Sequence, residues 1–118
     1  MKQYSYDDAI YYQSLKQMPE RTDELVIGFN NLFRKEKMVY LALTTKYFNM
    51  IDEEQRTVQF EVTRLIKITI PRPNEVCFEY HSANGIQSIT FGVATGKFTA
   101  AQIVEEVHFQ ISLLLSKS

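Results

Sequence analysis

KFTAAQIVEEVHFQISLLLSKS, residues 97–118, is the stretch that decides how the rest of the chain folds. It carries a complete set of helix signals. Thr99 fits an N-cap, and Gln102 three residues later completes a capping box. Phe98 before the cap and Ile103 four residues after it fit a hydrophobic staple. At helical spacing, Ala100, Ile103, Val104, Val107, Ile111, Leu114 and Leu115 form one apolar stripe, with Glu105, Glu106, Gln110 and Ser112 away from it. A lone amphipathic helix must bury such a stripe on something. Almost everything upstream reads as β-strand, so the partner is a sheet.

Working back from the helix, Asn84-Gly85 is the favoured dipeptide of a two-residue type I′ hairpin turn. If it forms the loop, Tyr80 faces Ile89, Phe78 faces Phe91 and Val76 faces Val93 on the apolar side. Cys77, Glu79 and His81 then lie on the other side, and a one-residue slip would destroy the match. Five further strands are predicted before this hairpin: Leu25–Phe33, with Gly28 as a candidate bulge, then Met38–Leu43, Tyr47–Ile51, Thr57–Val62 and Leu65–Ile70. In the fourth, Val58, Phe60 and Val62 face one way. In the fifth, Ile66, Ile68 and Ile70 share a face, and Pro71-Arg72-Pro73-Asn74 breaks it. Seven strands at hairpin spacing leave no room for parallel crossovers. The expected fold is therefore α+β and mostly β: a seven-stranded antiparallel sandwich or barrel capped by the C-terminal helix. Residues 1–22 read as a helical flank with Tyr11, Leu15 and Met18 on one face and Pro19 ending it, and residues 23–118 as the domain.

Composition narrows the function classes. A chain of 118 residues with 45% hydrophobic content suits one domain with one core. The net charge of −1 argues against a general nucleic-acid binder. One cysteine excludes an internal disulfide and fits a reducing compartment. No apolar run spans a bilayer, and the polar N-terminus does not read as a signal peptide, so a cytoplasmic location is expected. Cys77 and His81 share a strand face, but four residues of strand separate them by about 13 Å, too far for an activating hydrogen bond. With no zinc spacing, phosphate loop or nucleophile elbow, the expectation is a protein without catalysis, cofactor or metal.

The strand order resembles the pleckstrin-homology (PH-like) superfold, seven antiparallel strands and one capping helix. Lys37–Ile51, KMVYLALTTKYFNMI, is similar to the second and third strands of the class I myosin tail-homology and CARMIL-type PH-like domains, through Leu43-Thr44 and Tyr47-Phe48. The resemblance implies a non-catalytic adaptor or targeting module of a cytoskeletal or trafficking assembly, peripheral at membranes. It implies phosphoinositide or other anionic-lipid contact through basic residues around the loop between the first two strands. The matching positions are Arg34, Lys35 and Lys37, with Lys46 in the next turn but one. The second strand, MVYLAL, lacks the arginine that lipid-binding members place there, which argues against a headgroup pocket and leaves two readings of Arg34–Lys37: a shallow electrostatic contact or a solvated hairpin loop.

Two other features point to protein partners. Phe109 and Leu113 lie opposite the main helix stripe. Either the N-terminal segment covers them or they dock another protein, a second copy included. Lys67 points outward from the fifth strand, which with the C-terminal helix frames the peptide groove of PTB-like relatives; polar protection of an edge strand accounts for it equally. His108 reads as a boundary residue of the stripe.

Overall fold

The computed structural model describes residues 24–54 and 57–116. The predicted N-terminal helical flank lies outside the described residues. The strands are β1 (Leu25–Arg34), β2 (Lys37–Thr44), β3 (Tyr47–Asp52), β4 (Thr57–Glu61), β5 (Leu65–Thr69), β6 (Glu75–Ser82) and β7 (Gly85–Val93), followed by helix α1 (Ala100–Ser116). They form one antiparallel sheet in the order β4-β3-β2-β1-β7-β6-β5. The predicted class is therefore the observed one, and the first five strands end within one residue of their expected limits. Val62, expected to finish β4, instead opens a single 3₁₀ turn, Val62–Arg64, that carries the chain from one edge strand to the other.

The sheet bends over a common core. Its inner face contributes Phe29, Leu32, Leu41, Leu43, Phe48, Met50, Phe60, Phe78, Ile89 and Phe91, and α1 supplies Ala100, Ile103 and Val107. The ring of Phe60 on β4 stacks on Tyr80 of β6 at 4.0 Å, and Phe48 lies 5.0 Å from Phe60. The helix starts as its sequence dictates. The Thr99 N–H donates to Gln102 Oε1 at 2.9 Å, and the Gln102 N–H donates to Thr99 Oγ1 at 3.2 Å. Of the predicted stripe, Val104 and Ile111 pack at the core margin, whereas Leu115 is 53% exposed. Leu114 and Leu115 of the last turn instead line a cleft with Thr45, Tyr47 and Val62.

Three sequence expectations are corrected. Gly28 is not a bulge: it pairs regularly with Ala42, and the glycine is required because the Tyr40 ring and hydroxyl lie where a Cβ would sit. The β1 bulges fall beside it, notably at Asn30-Asn31, where two residues stand opposite Tyr40. In β5 a bulge at Ile66 breaks the alternation. Leu65 and Ile68 therefore turn to the core, while Ile66 and Ile70 are exposed. The β6–β7 hairpin is displaced by two residues from the expected register: Phe78 faces Ile89, Val76 faces Phe91, and Ser82 faces Gly85. A two-residue shift keeps every side chain on its predicted face, because the pleat repeats every two residues. Gly85, at φ 103°, is the first residue of β7, and neither Ala83 nor Asn84 has a positive φ, so the turn is not type I′.

The Asn31 bulge carries the join between sheet and helix. The Asn31 carbonyl accepts the Ala94 N–H, and its side-chain Nδ2 donates to the Ala94 and Phe98 carbonyls at 3.0 and 2.8 Å. Asn31 is buried, so these bonds are not exchangeable for water at low cost. Asn31→Ala is expected to destabilise the protein by about 2 kcal/mol. Urea unfolding would show a lower midpoint at unchanged slope; a loss within error of zero would refute the tether.

Candidate functional site

One end of the bent sheet is framed by three turns: Lys35-Glu36 between β1 and β2, Asp52–Glu54 after β3, and Ile70–Asn74 between β5 and β6. A cleft of about 250 Å³ opens there. Its rim is Arg34, Lys35, Lys37 and Asp52, and its floor is Val39, Met50, Val58, Ile89 and Phe91. The structure thus brings together three of the four basic residues that the resemblance assigns to lipid contact. Lys46 sits at the opposite end, in the β2–β3 turn, where its carbonyl accepts the Val62 N–H. There it lines a separate cleft of about 320 Å³ with Leu114 and Leu115 from the end of α1.

The basic turn has an unusual backbone. Lys35 and Glu36 have φ of 52° and 66°, and Arg34 pairs directly with Lys37. Two left-handed residues in a two-residue loop define the type I′ geometry that the sequence pattern placed at Asn84-Gly85. Neither lysine nor glutamate favours this conformation, which glycine and asparagine adopt readily. Arg34 and Lys35 are thereby presented at the tip, both exposed.

Carboxylates brace the same end. Lys37 Nζ is ion-paired with Glu54 Oε1, and the Met38 N–H donates to Glu53 Oε1 at 3.0 Å. The acidic turn after β3 therefore grips β2 and takes up part of the positive field. Arg72 adds a cation from the β5–β6 turn. With Arg34, Lys35, Phe33 and Thr90 it lines a second, shallower recess across the tip. Arg72 and the acidic turn were not joined to this end by sequence reasoning. For Arg72 the missing information was long-range: the Val93 N–H bonds to the Asn74 carbonyl, and Phe33 of β1 pairs with Gly92 of β7, which sets the β5–β6 turn beside the end of β1.

The other residues fall elsewhere. Lys67 lies on edge strand β5, its Nζ 3.5 Å from Glu79 Oε2. Phe109 and Leu113 are 58% and 41% exposed on α1. His108 is exposed, and Cys77 is a half-buried free thiol. Cys77, Glu79 and His81 are successive outward positions of β6, facing Thr90, Ser88 and Ile86 of β7. Among the described residues, no group of three or more His, Cys, Asp or Glu is placed to hold a metal ion. No described helix is long and apolar enough to cross a membrane.

No protein-family model matches the chain, and no curated protein matches it in sequence. Among solved structures it is similar to the hSac2 domain from the human phosphoinositide phosphatase Sac2. The TM-score is 0.56 at 13% identity, over 95% of this chain and 82% of that one. The likeness is one of fold, and the topology is PH-like. It lends nothing to the narrower resemblance to myosin tail-homology or CARMIL-type domains.

Because the tip residues occupy a disfavoured conformation, the double substitution Lys35→Asn, Glu36→Gly is expected to raise stability by about 1–2 kcal/mol. Thermal or urea unfolding measures the gain. A loss of stability would show that the turn does not have this geometry in solution.

Proposed function

We propose that this protein is a non-catalytic PH-like targeting module that makes a weak contact with anionic membrane, phosphoinositide included, through its basic tip. The observation that carries this reading is the convergence of Arg34, Lys35 and Lys37 on one cleft rim above an apolar floor. The likeness to a domain of a phosphoinositide phosphatase is compatible with it. Lys37 is paired with Glu54, and no cation projects from the middle of β2, where Val39, Leu41 and Leu43 are buried in the core. The contact is accordingly a surface one, driven mainly by Arg34 and Lys35. The role in a cytoskeletal or trafficking assembly belongs to the same reading and rests only on the resemblance of Lys37–Ile51 to the class I myosin tail-homology and CARMIL-type domains.

A second reading has its own observation. The exposed, adjacent Phe109 and Leu113 offer an apolar spot on α1 for a protein partner. The two readings separate by salt, since surface electrostatics are screened and apolar docking is not.

Each basic side chain near an anionic surface contributes about 1 kcal/mol. Reversing Arg34, Lys35 and Lys37 to Glu should therefore weaken partition into anionic vesicles at least about a hundredfold. Vesicle flotation with phosphoinositide-containing and neutral vesicles is the measurement. Absence of binding by the unaltered protein at low salt would overturn the membrane reading. Phe109→Ser with Leu113→Ser should leave flotation unchanged; if it abolished flotation, the contact face would be α1 instead.

A further inference from the structure

Strands β2 and β3 are buried on both faces, which one core and one helix do not explain. Their inward residues, Val39, Leu41, Leu43, Phe48 and Met50, belong to the main core. Their outward residues Tyr40, Ala42 and Ile51 form a second cluster, joined by half-buried Leu25. Exposure on this outer patch is 8% for Tyr40, 0% for Ala42 and 6% for Ile51. Elsewhere on the outer face apolar side chains stand open, Met38 at 42% and Ile86 at 60%. The buried stripe of α1 is committed to the inner face. The buried amide of the patch, Asn49, is already satisfied. Asn49 Nδ2 donates to the Ala42 carbonyl at 3.3 Å, and Asn49 Oδ1 accepts from Gln59 Nε2 at 2.7 Å. An apolar cover can therefore rest over Asn49 without stranding its amide.

The place where the described chain begins points to the cover. The Thr45 N–H donates to the Glu24 carbonyl at 2.9 Å, the Glu24 N–H donates to Thr45 Oγ1 at 3.2 Å, and Leu25 pairs with Thr44. The chain thus enters the sheet at the margin of the patch, with residues 1–23 ahead of it. By sequence, Ser5 to Met18 has Tyr11, Leu15 and Met18 at helical spacing; at 1.5 Å per residue such a span is about 21 Å, the length of the strands to be covered. We propose that residues 1–22 dock through Tyr11, Leu15 and Met18 on the outer face of β2 and β3, around Tyr40, Ala42 and Ile51. The N-terminal segment then belongs to the domain itself, and Phe109 and Leu113 remain available to another molecule.

The test uses the full chain with p-benzoylphenylalanine in place of Leu15, irradiated and mapped by mass spectrometry, with circular dichroism confirming the fold. Adducts within one chain, in the segment 38–51, are expected. Adducts on α1 near Phe109 and Leu113, adducts only between chains, or none in the folded protein would each overturn the proposal. A second readout needs no photochemistry. With Cys77→Ser and Ile51→Cys, maleimide labelling should quicken at least tenfold when Leu15→Asp and Met18→Asp are added; an unchanged rate would also overturn it.

Discussion

The contact between Phe60 and Tyr80 holds the two ends of the sheet together. Phe60 belongs to edge strand β4, and Tyr80 to β6, next to the other edge. Along the chain those edges are linked by one three-residue turn, Val62–Arg64. Their rings lie 4.0 Å apart and almost parallel, at an interplanar angle of 2°. Phe48 extends the column from β3, and Phe78 and Phe91 continue it across the core at centroid separations of 5.8 and 6.1 Å. Such pairs contribute about 0.5–1.5 kcal/mol each beyond the area they bury. They also set the spacing between the facing halves, which Ile103 and Val107 of α1 then fill. A flat seven-stranded sheet would leave both edges open and half its apolar face in water.

That column also explains why the cleft lies where it does. Under the basic tip the floor consists of Val39, Met50, Val58 and Ile89 with Phe91, the last ring of the column, away from the stacked pair Phe60–Tyr80. The fold therefore closes tightly around Phe60 and Tyr80 and stays open beneath Arg34 and Lys35. The acidic turn then acts on the field at that opening. With Glu53 on the β2 backbone and Glu54 on Lys37, it tempers the attraction for anions while bracing the hairpin that displays it. A rim of mixed sign gives a contact that ionic strength moves easily.

Much of this was legible in the chain because periodicity is local. The Thr99–Gln102 capping box, the limits of the first five strands and the inward set of β6 and β7 follow from spacing alone. Turn chemistry was less legible. Asn84-Gly85 reads as a type I′ loop, yet the hairpin is shifted so that Gly85 alone has positive φ, while Lys35-Glu36 adopts the paired left-handed conformation. Local preference yields there to the pairing of Arg34 with Lys37 and the grip of the acidic turn. The bulge at Ile66 was hidden for a similar reason: three isoleucines at alternate positions look like one face until the sheet must bend. Asn31 carried no signal, since its value lies in two carbonyls more than sixty residues away. Among the site residues, the grouping of Arg34, Lys35 and Lys37 was local and readable. The remoteness of Lys46 and the arrival of Arg72 depend on how turns far apart in sequence are stacked.

The narrowness of the seam between β1 and β7 has a consequence for how the chain reaches this state. Strands β1 to β4 form one meander and β5 to β7 another, each built from neighbours in sequence. The two are zipped together by Leu32 opposite Val93 and Phe33 opposite Gly92. Closing that seam spans some sixty residues and costs loop entropy that the local hairpins do not. On loop entropy alone, the two meanders are expected to form more readily than the seam that joins them. Asn31 and Gly96 lie beside that seam, so the same few residues that join sheet to helix also hold the two meanders together.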